Sequence, residues 1–219
     1  MTGPFAAAML LGAAALSLAA CDDRGQKQTA APRAAATPAK TKLGGSFTLV
    51  DQNGVRVTEK QLLGKPSLVF FGFTFCPEVC PTTLSHMTRW LKELGPDGDK
   101  INIFYVTVDP ERDTPKQLKT YLTSFDSRIR GLSGTKAQIA EITKNYNVYY
   151  KRVPLANGDY VMDHSTMVYM MNGQGRYVGP IGYNEPDDHV MPLLRDLIAG
   201  RPPKSRKPDP RTAIERSAT

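Results

Sequence analysis

The sequence predicts an α/β domain in which helices flank a central mixed β-sheet and a β-hairpin comes first. Two nearly continuous apolar runs, 67–73 and 101–108, have the composition of strands that are buried on both faces. Helix-initiating sequences follow these runs, and Asn-Gly pairs join the later strands. Alternation of strand and helix, followed by a terminal hairpin and helix, is typical of a mixed sheet covered by helices.

The chain begins with a segment that is typical of an exported protein. Residues 5–20 form an uncharged run of mainly Ala, Leu, Met and Gly. This run is shorter than the about 20 residues that a membrane-spanning helix needs, which favours a secretory signal. Leu18-Ala19-Ala20-Cys21 resembles the lipobox of bacterial lipoproteins, whose cysteine is lipidated, and Asp22 resembles an inner-membrane retention signal. One feature departs from this pattern, because no Lys or Arg precedes the run. The alternative is an uncleaved anchor in which Cys21 is a small apolar residue.

The sequence divides into four predicted parts. Residues 1–21 form the signal peptide with its lipidation site, and residues 22–42, rich in Ala, Pro and Thr without apolar periodicity, form a flexible tether. Residues 43–200 form the domain, and residues 201–219 a basic, disordered tail. We therefore expect a lipid-anchored domain on the periplasmic side of a bacterial inner membrane.

The first part of the domain has the pattern of a hairpin followed by a short helix. Residues 46–50 and 55–57 flank Asp51-Gln52-Asn53-Gly54, a strong turn signal. Thr58-Glu59-Lys60-Gln61 has the form of a capping box, and Gly64 ends the short helix that it opens. The apolar strand 67–73 follows.

Periodicity and capping residues predict the remaining elements. Leu84, Met87, Leu91 and Leu94 recur at helical spacing, so residues 82–94 form a helix that Gly95-Pro96 ends. Capping boxes at Thr114 and Thr135 open further helices. The other predicted elements are the strands 101–108, 148–153, 159–162, 166–171 and 177–181 and the helices 114–125, 135–145 and 186–199.

Two cysteines lie where the first buried strand gives way to a helix. Cys76 and Cys80 are each followed by proline, which neither a central strand nor a helix interior accepts. With Pro81 at the first helical position, Cys80 would cap the helix, where the dipole favours a thiolate. In a helical segment this spacing brings two side chains about 5–6 Å apart. Such a pair suits a soft metal, Cu(I) or Zn(II), or a redox nucleophile.

The composition leaves few candidates for a third metal ligand and does not favour nucleic-acid binding. The chain holds three cysteines and three histidines, so few side chains can supply a third soft-metal ligand. His164 is the best placed, because it lies at the entrance to the apolar strand 166–171 and functional groups gather at strand ends. The formal charge of +7 does not indicate nucleic-acid binding, because basic and aromatic residues are not interleaved on one face.

Three motifs in order resemble the Sco/SenC family. They are Cys76-Pro77-Glu78-Val79-Cys80-Pro81 after an apolar strand, the turn Val108-Asp109-Pro110-Glu111-Arg112-Asp113-Thr114-Pro115, and Asp163-His164-Ser165-Thr166 before a late strand. The resemblance covers residues 43–199. It implies a thioredoxin-like fold and a copper ion, Cu(I) or Cu(II), held by Cys76, Cys80 and His164.

The resemblance also implies a role and partners. Members of the family are membrane-anchored and help to assemble the copper centre of cytochrome c oxidase, so the implied partner is its copper-bearing subunit II. Another periplasmic copper chaperone or a thiol reductant is a further candidate partner. Asp109, Asp113 and Asp163 are candidates for supporting the ligands or facing a partner. The implied activity is binding and transfer of copper, which needs no catalytic turnover.

Other functions of the cysteine pair remain open at this point. A thiol–disulfide reductase could use Cys76 or Cys80 as its nucleophile and keep the cysteines of the oxidase copper site reduced. A structural disulfide is a third possibility. Phe73-Thr74-Phe75-Cys76-Pro77 also resembles the nucleophile segment of peroxiredoxins, although the resolving cysteine would be unusually close. Thioredoxins differ in having two residues between their cysteines and a cis-proline where Asp163-His164 falls here.

Overall fold

The computed structural model describes residues 43–202. The expected signal peptide, the lipidation site Cys21, the tether 22–42 and the tail beyond residue 202 lie outside the described residues. Within residues 43–202 no helix combines the length and the apolar character needed to cross a bilayer.

The described part of the chain contains a mixed sheet with helices, as the sequence predicts. Its strands are β1 (Thr48–Asp51), β2 (Arg56–Thr58), β3 (Ser67–Gly72), β4 (Asn102–Thr107), β5 (Ile129–Ser133), β6 (Tyr150–Pro154), β7 (Tyr160–His164), β8 (Val168–Met171) and β9 (Tyr177–Ile181). Its α-helices are α1 (Val79–Leu94), α2 (Pro115–Leu122), α3 (Lys136–Asn145) and α4 (Asp187–Ile198), and two 3-10 helices span Glu59–Leu62 and Gly95–Lys100.

Seven strands form the main sheet in the order β2-β1-β5-β4-β3-β8-β9. β3, β4 and β5 pair in parallel, and the outer pairings are antiparallel. Every residue of β3 is buried, because β4 and β8 pair with its two edges and the core covers both of its faces. The chain therefore leaves the middle of the sheet at Gly72, the last residue of β3, and reaches Cys76 four residues later.

The N-terminal hairpin and two of the predicted capping boxes are present. Gly54 has a φ of 80° in the turn between β1 and β2, where glycine is favoured. Thr58 and Thr135 each form a complete box with a glutamine three residues later. The box at Thr114 is half formed: its hydroxyl accepts the Gln117 N–H, but the Gln117 side chain donates to Thr74 at 3.4 Å instead of returning to Thr114.

Strand β5 was not predicted, although it occupies a central position in the sheet. Its sequence, Ile-Arg-Gly-Leu-Ser, is short and lacks an apolar run. Gly131 allows β5 to lie against α2, because a Cβ there would come within 2.7 Å of the Leu122 side chain. Arg130 forms a 2.9 Å ion pair with Asp51, the last residue of the neighbouring strand β1. Tertiary contacts, rather than strand propensity, therefore fix this segment.

The strands β6 and β7 form a separate two-stranded sheet. They pair antiparallel, with Tyr150 opposite His164 and Pro154 opposite Tyr160. The predicted strand 159–162 extends two residues further in the structure, so His164, expected at the entrance to the strand 166–171, is the last residue of β7. Elsewhere α1 packs against α4, α2 against β5 and α3 near β1.

Candidate metal centre

Two cysteines and one histidine converge at the end of the central strand. The sulfurs of Cys76 and Cys80 and a ring nitrogen of His164 all lie within 4.8 Å of one another. Within residues 43–202 no other group of three or more His, Cys, Asp or Glu side chains has its ligand atoms so placed. The structure thus brings together the three residues that the sequence analysis selected, and they form a candidate copper site.

The first turn of α1 differs from the expected one. Its N-cap is Glu78, so Cys80 is the second helical residue and Pro81 the third, and the prediction that Cys80 caps the helix is wrong. The reason lies in the unpaired N–H groups of a first turn. The Cys80 N–H finds an acceptor in the Cys76 sulfur at 3.4 Å, and Pro81 has no N–H to satisfy. The helix can therefore begin before the proline.

Gly72 makes room for the Cys80 sulfur. A Cβ on Gly72 would lie 2.6 Å from that sulfur and 2.7 Å from the Tyr105 ring, closer than real contacts allow. Cys80 itself is fully buried, whereas Cys76 is partly exposed. The absence of a side chain at Gly72 therefore determines where one of the two sulfurs lies.

The environment of His164 directs one nitrogen toward the sulfurs. Its Nδ1 lies 2.8 Å from the carbonyl oxygen of Ser165, which can only accept a hydrogen bond. Nδ1 therefore donates to this oxygen, and Nε2 faces the Cys80 sulfur at 3.6 Å. The ring of Phe73 meets the imidazole at 90° with centroids 5.7 Å apart and fixes its orientation. An imidazole held in this way is ready to bind a metal through Nε2.

The two thiols have opposite acidities. A hydrogen bond from Cys80 is the largest of the effects that lower the pKa of Cys76 to about 4, and His164 and backbone N–H groups add to it, although burial opposes them. The same hydrogen bond, together with burial, raises the pKa of Cys80 far above its usual range. The pair therefore holds a single proton at neutral pH, and a soft cation that replaces this proton gains two thiolate ligands.

Asp113 anchors the segment that leads to Cys76. It is fully buried and accepts hydrogen bonds from the Thr74 N–H at 2.9 Å, the Thr74 hydroxyl at 2.6 Å and the Thr107 hydroxyl at 2.7 Å. It thereby ties the chain after β3 to the end of β4. Asp113 therefore holds the segment before Cys76 in a fixed position.

Asp109 and Asp163 lie in different environments. Asp109 is buried, forms a 2.6 Å ion pair with Arg112 and accepts a 2.9 Å hydrogen bond from the Tyr160 hydroxyl. It therefore links the turn after β4 to the hairpin that carries His164. Asp163 is exposed, which leaves it available to a partner.

Arg112 was not selected from the sequence, yet it connects the two halves of the site. Its guanidinium stacks on the exposed ring of Phe75 at 4.6 Å and on the ring of Tyr160 at 3.6 Å. It also donates to the Tyr160 carbonyl at 3.0 Å and pairs with Asp159 at 3.2 Å. The only sign of Arg112 in the sequence is its position between two aspartates in the turn 109–113. Such a pattern is common in polar turns and does not by itself indicate a role.

Comparison with known proteins agrees with this geometry. The model of the SCO1/SenC family matches residues 35–199. The mitochondrial protein SCO2 of Saccharomyces cerevisiae is 39% identical over 168 residues, which cover 75% of this chain and 56% of the yeast protein. The chain therefore spans little more than half the length of this relative.

Solved structures extend the comparison to copper. The structure of Bradyrhizobium japonicum ScoI with copper bound is 47% identical, with a TM-score of 0.68, and the match covers 71% of this chain and 99% of that one. BsSco, a member of the Sco family of cytochrome c oxidase assembly proteins in which a disulfide switch was identified, is 26% identical with a TM-score of 0.60 over 73% of this chain and 95% of its own. The fold is therefore thioredoxin-like, and the chain belongs to the SCO1/SenC family.

Proposed function

We propose that this chain is a membrane-anchored copper protein that delivers copper to, or prepares, the copper centre of cytochrome c oxidase subunit II. The observation that carries the proposal is the convergence of two sulfurs and one free imidazole nitrogen within 4.8 Å. Two thiolates and one imidazole suit Cu(I) at low coordination number. The copper-bound ScoI structure and the assembly role of BsSco support the same conclusion.

The burial of the three ligands is suited to transfer. Cys80 is fully buried and His164 is 9% exposed, whereas Cys76 lies partly at the surface beside the exposed ring of Phe75. A ligand from a partner can therefore approach the metal on the Cys76 side and replace the sulfurs one at a time. A recipient copper site, a periplasmic copper donor or a thiol reductant would each meet the protein at this surface.

The proposal places the domain at the periplasmic surface of a bacterial inner membrane through lipid on Cys21. The lipobox-like Leu18-Ala19-Ala20-Cys21 supports this anchor. Metabolic labelling with a palmitate analogue tests it. Label on the parent and none on Cys21→Ser is expected, and a Cys21→Ser chain that stays labelled contradicts the anchor.

Copper retention by the full-length chain tests the metal site. The protein is reduced anaerobically, loaded with Cu(I) and washed with a competing chelator, and metal content is measured. We expect about one copper per parent chain and clear loss in His164→Ala. His189→Ala, which removes a histidine of α4, is the matched control and should retain copper. Full retention by His164→Ala contradicts the assignment of this ligand.

A thiol–disulfide reductase is the second candidate function. Two observations favour it: the Cys76 sulfur is in contact with the Cys80 N–H at 3.4 Å, and Cys76 is the more exposed of the pair. In this reaction the Cys76 thiolate attacks a partner disulfide and forms a mixed disulfide. Cys80 then displaces the partner, so that the chain gains a Cys76–Cys80 disulfide and the partner gains two thiols. The disulfide switch of BsSco is consistent with such chemistry.

His164 separates the two functions, because a metal site needs its nitrogen and a dithiol does not. Reduction of a peptide disulfide that carries the cysteines of the oxidase copper site is measured for the parent and for His164→Ala. Nearly unchanged reduction with lost copper retention is expected if both chemistries are present. A parent that retains no copper but reduces the peptide would favour the reductase alone.

A further inference from the structure

Tyr105 has a buried hydroxyl that the copper site, as described above, does not use. Its side chain is fully buried in β4, and no atom of residues 43–202 makes a hydrogen bond to its hydroxyl. Unpartnered buried hydroxyls are costly, and each needs an explanation. The ring is fixed by the ring of Phe70, with centroids 5.9 Å apart, and by a stacked ring of Tyr121 at 6.0 Å. The hydroxyl therefore has a defined position.

The space above Gly72 brings this hydroxyl beside one of the metal-binding sulfurs. A Cβ on Gly72 would lie 3.0 Å from the Tyr105 hydroxyl and 2.6 Å from the Cys80 sulfur. The two atoms therefore border the same small space, which only a glycine leaves open. His164 approaches the same sulfur from elsewhere at 3.6 Å.

We propose that the Tyr105 hydroxyl donates a hydrogen bond to the Cys80 sulfur when that sulfur is a metal-bound thiolate, which makes Tyr105 a positioning residue of the copper site. A thiol is only a weak acceptor for this hydroxyl, whereas a thiolate is a strong one. A copper ion held by Cys80 would bind its sulfur as a thiolate, which is an anionic acceptor. Tyr105 keeps its own proton, because phenols ionise near pH 10.

This hydrogen bond has two consequences for copper. A hydrogen bond to an anionic group is stronger than one between neutral groups, so metal retention increases. Donation to the sulfur also lowers the energy of its lone pairs, which moves the sulfur-to-metal charge-transfer band to higher energy and tunes the metal. Both effects act on the Cys80 sulfur, and neither requires Tyr105 to touch the metal.

The chain provides a matched control. Tyr146 is likewise fully buried and has a hydroxyl without a partner among the described residues. Its ring packs on Phe71 and Tyr169, at centroid distances of 5.5 and 5.9 Å. Tyr105→Phe and Tyr146→Phe therefore remove the same atom from equally buried sites, one beside the sulfur and one in the core. Neither variant loses a hydrogen bond within the described residues, so both should fold.

The test uses the full-length chain carrying Cys21→Ser, so that Cys76 and Cys80 are the only thiols. Cu(I) affinity is measured by competition with a chromophoric chelator, and the charge-transfer spectrum is recorded with Co(II). Tyr105→Phe should bind Cu(I) roughly tenfold more weakly than the parent and show a band at lower energy. Tyr146→Phe should match the parent in both measurements.

A second measurement does not depend on how stable the variants are. The hydroxyl proton of Tyr105, assigned by its absence in Tyr105→Phe, should move downfield in the proton NMR spectrum when Cu(I) binds. Because the inference rests on the proposed copper function, a parent that retains no Cu(I) overturns both. A parent that retains Cu(I), with Tyr105→Phe equal to Tyr146→Phe and no proton shift, overturns the role of Tyr105 alone.

Discussion

The Nε2 atom of His164 lies 3.6 Å from the sulfur of Cys80, although 84 residues separate them in the chain. The sulfur comes from a helix that follows the central strand, and the nitrogen comes from a hairpin outside the main sheet. The site therefore depends on contacts that hold these two parts together.

Gly72 should not tolerate even a methyl group. Gly72→Ala places a Cβ 2.6 Å from the Cys80 sulfur and 2.7 Å from the Tyr105 ring, and both neighbours are fully buried. We expect a loss of about 1–3 kcal/mol in the free energy of unfolding, as for other overpacked cores, and weaker Cu(I) retention. Urea unfolding and chelator competition measure the two effects. Gly173→Ala, whose Cβ would meet nothing closer than 3.7 Å, should behave like the parent.

Asp113 should be essential for stability, and Asp163 should not. Asp113→Ala leaves three donors of Thr74 and Thr107 without their acceptor in a buried environment, which should cost about 3 kcal/mol. Asp163 is exposed, so Asp163→Ala should change the free energy of unfolding by less than about 0.5 kcal/mol. Equal effects in chemical denaturation would show that the Asp113 contacts do not support the segment before Cys76.

Arg112 should couple the cysteine segment to the histidine hairpin. Arg112→Ala removes the buried ion pair with Asp109 and the stacking on Phe75 and Tyr160, so we expect a loss of about 3 kcal/mol in stability and weaker Cu(I) binding. Arg112→Lys should rescue little, because a lysine cannot stack or donate bidentately. Arg152→Ala is the control. Arg152 also stacks on Tyr160, at 3.5 Å, but it is largely exposed and should cost less than about 1 kcal/mol.

The metal-free protein should react with alkylating agents at unusually low pH. The lowered pKa of Cys76, about 4, makes its sulfur a thiolate across the range in which an ordinary thiol is protonated. Alkylation of Cys76 by iodoacetamide should thus stay nearly constant from pH 8 down to about 5 and fall near pH 4, whereas the urea-unfolded chain should lose reactivity below about pH 8.

The Cys80 thiol should be the main cause of the low pKa of Cys76. Cys80→Ala removes the largest cause of the lowered pKa, so the alkylation profile of Cys76 should move toward higher pH. Mass spectrometry of the trapped cysteine follows both profiles. A Cys80→Ala profile that matches the parent would assign the acidity to His164 and the backbone instead.

The three candidate ligands could be predicted from the sequence, whereas the residues that support them could not. Cys76 and Cys80 stand out because prolines follow both at the end of an apolar run, and His164 because few histidines compete with it. Arg112, Gly72 and Tyr105 have no such signal. An arginine in a polar turn, a glycine at a strand end and a tyrosine in an apolar strand each have an ordinary structural explanation until their neighbours are known.

The sequence by itself determined the elements whose causes are local: the buried strands β3 and β4, the hairpin turn at Gly54, and the capped starts of α2 and α3. Only the tertiary structure decided that β5 joins the sheet, that α1 begins before Pro81, and that the pKa of Cys76 is lowered while that of Cys80 is raised. The physical reason is the range of the interactions. Capping and periodicity act over a few residues, whereas strand pairing, close approach at glycine and thiol acidity depend on neighbours that the fold brings from distant parts of the chain.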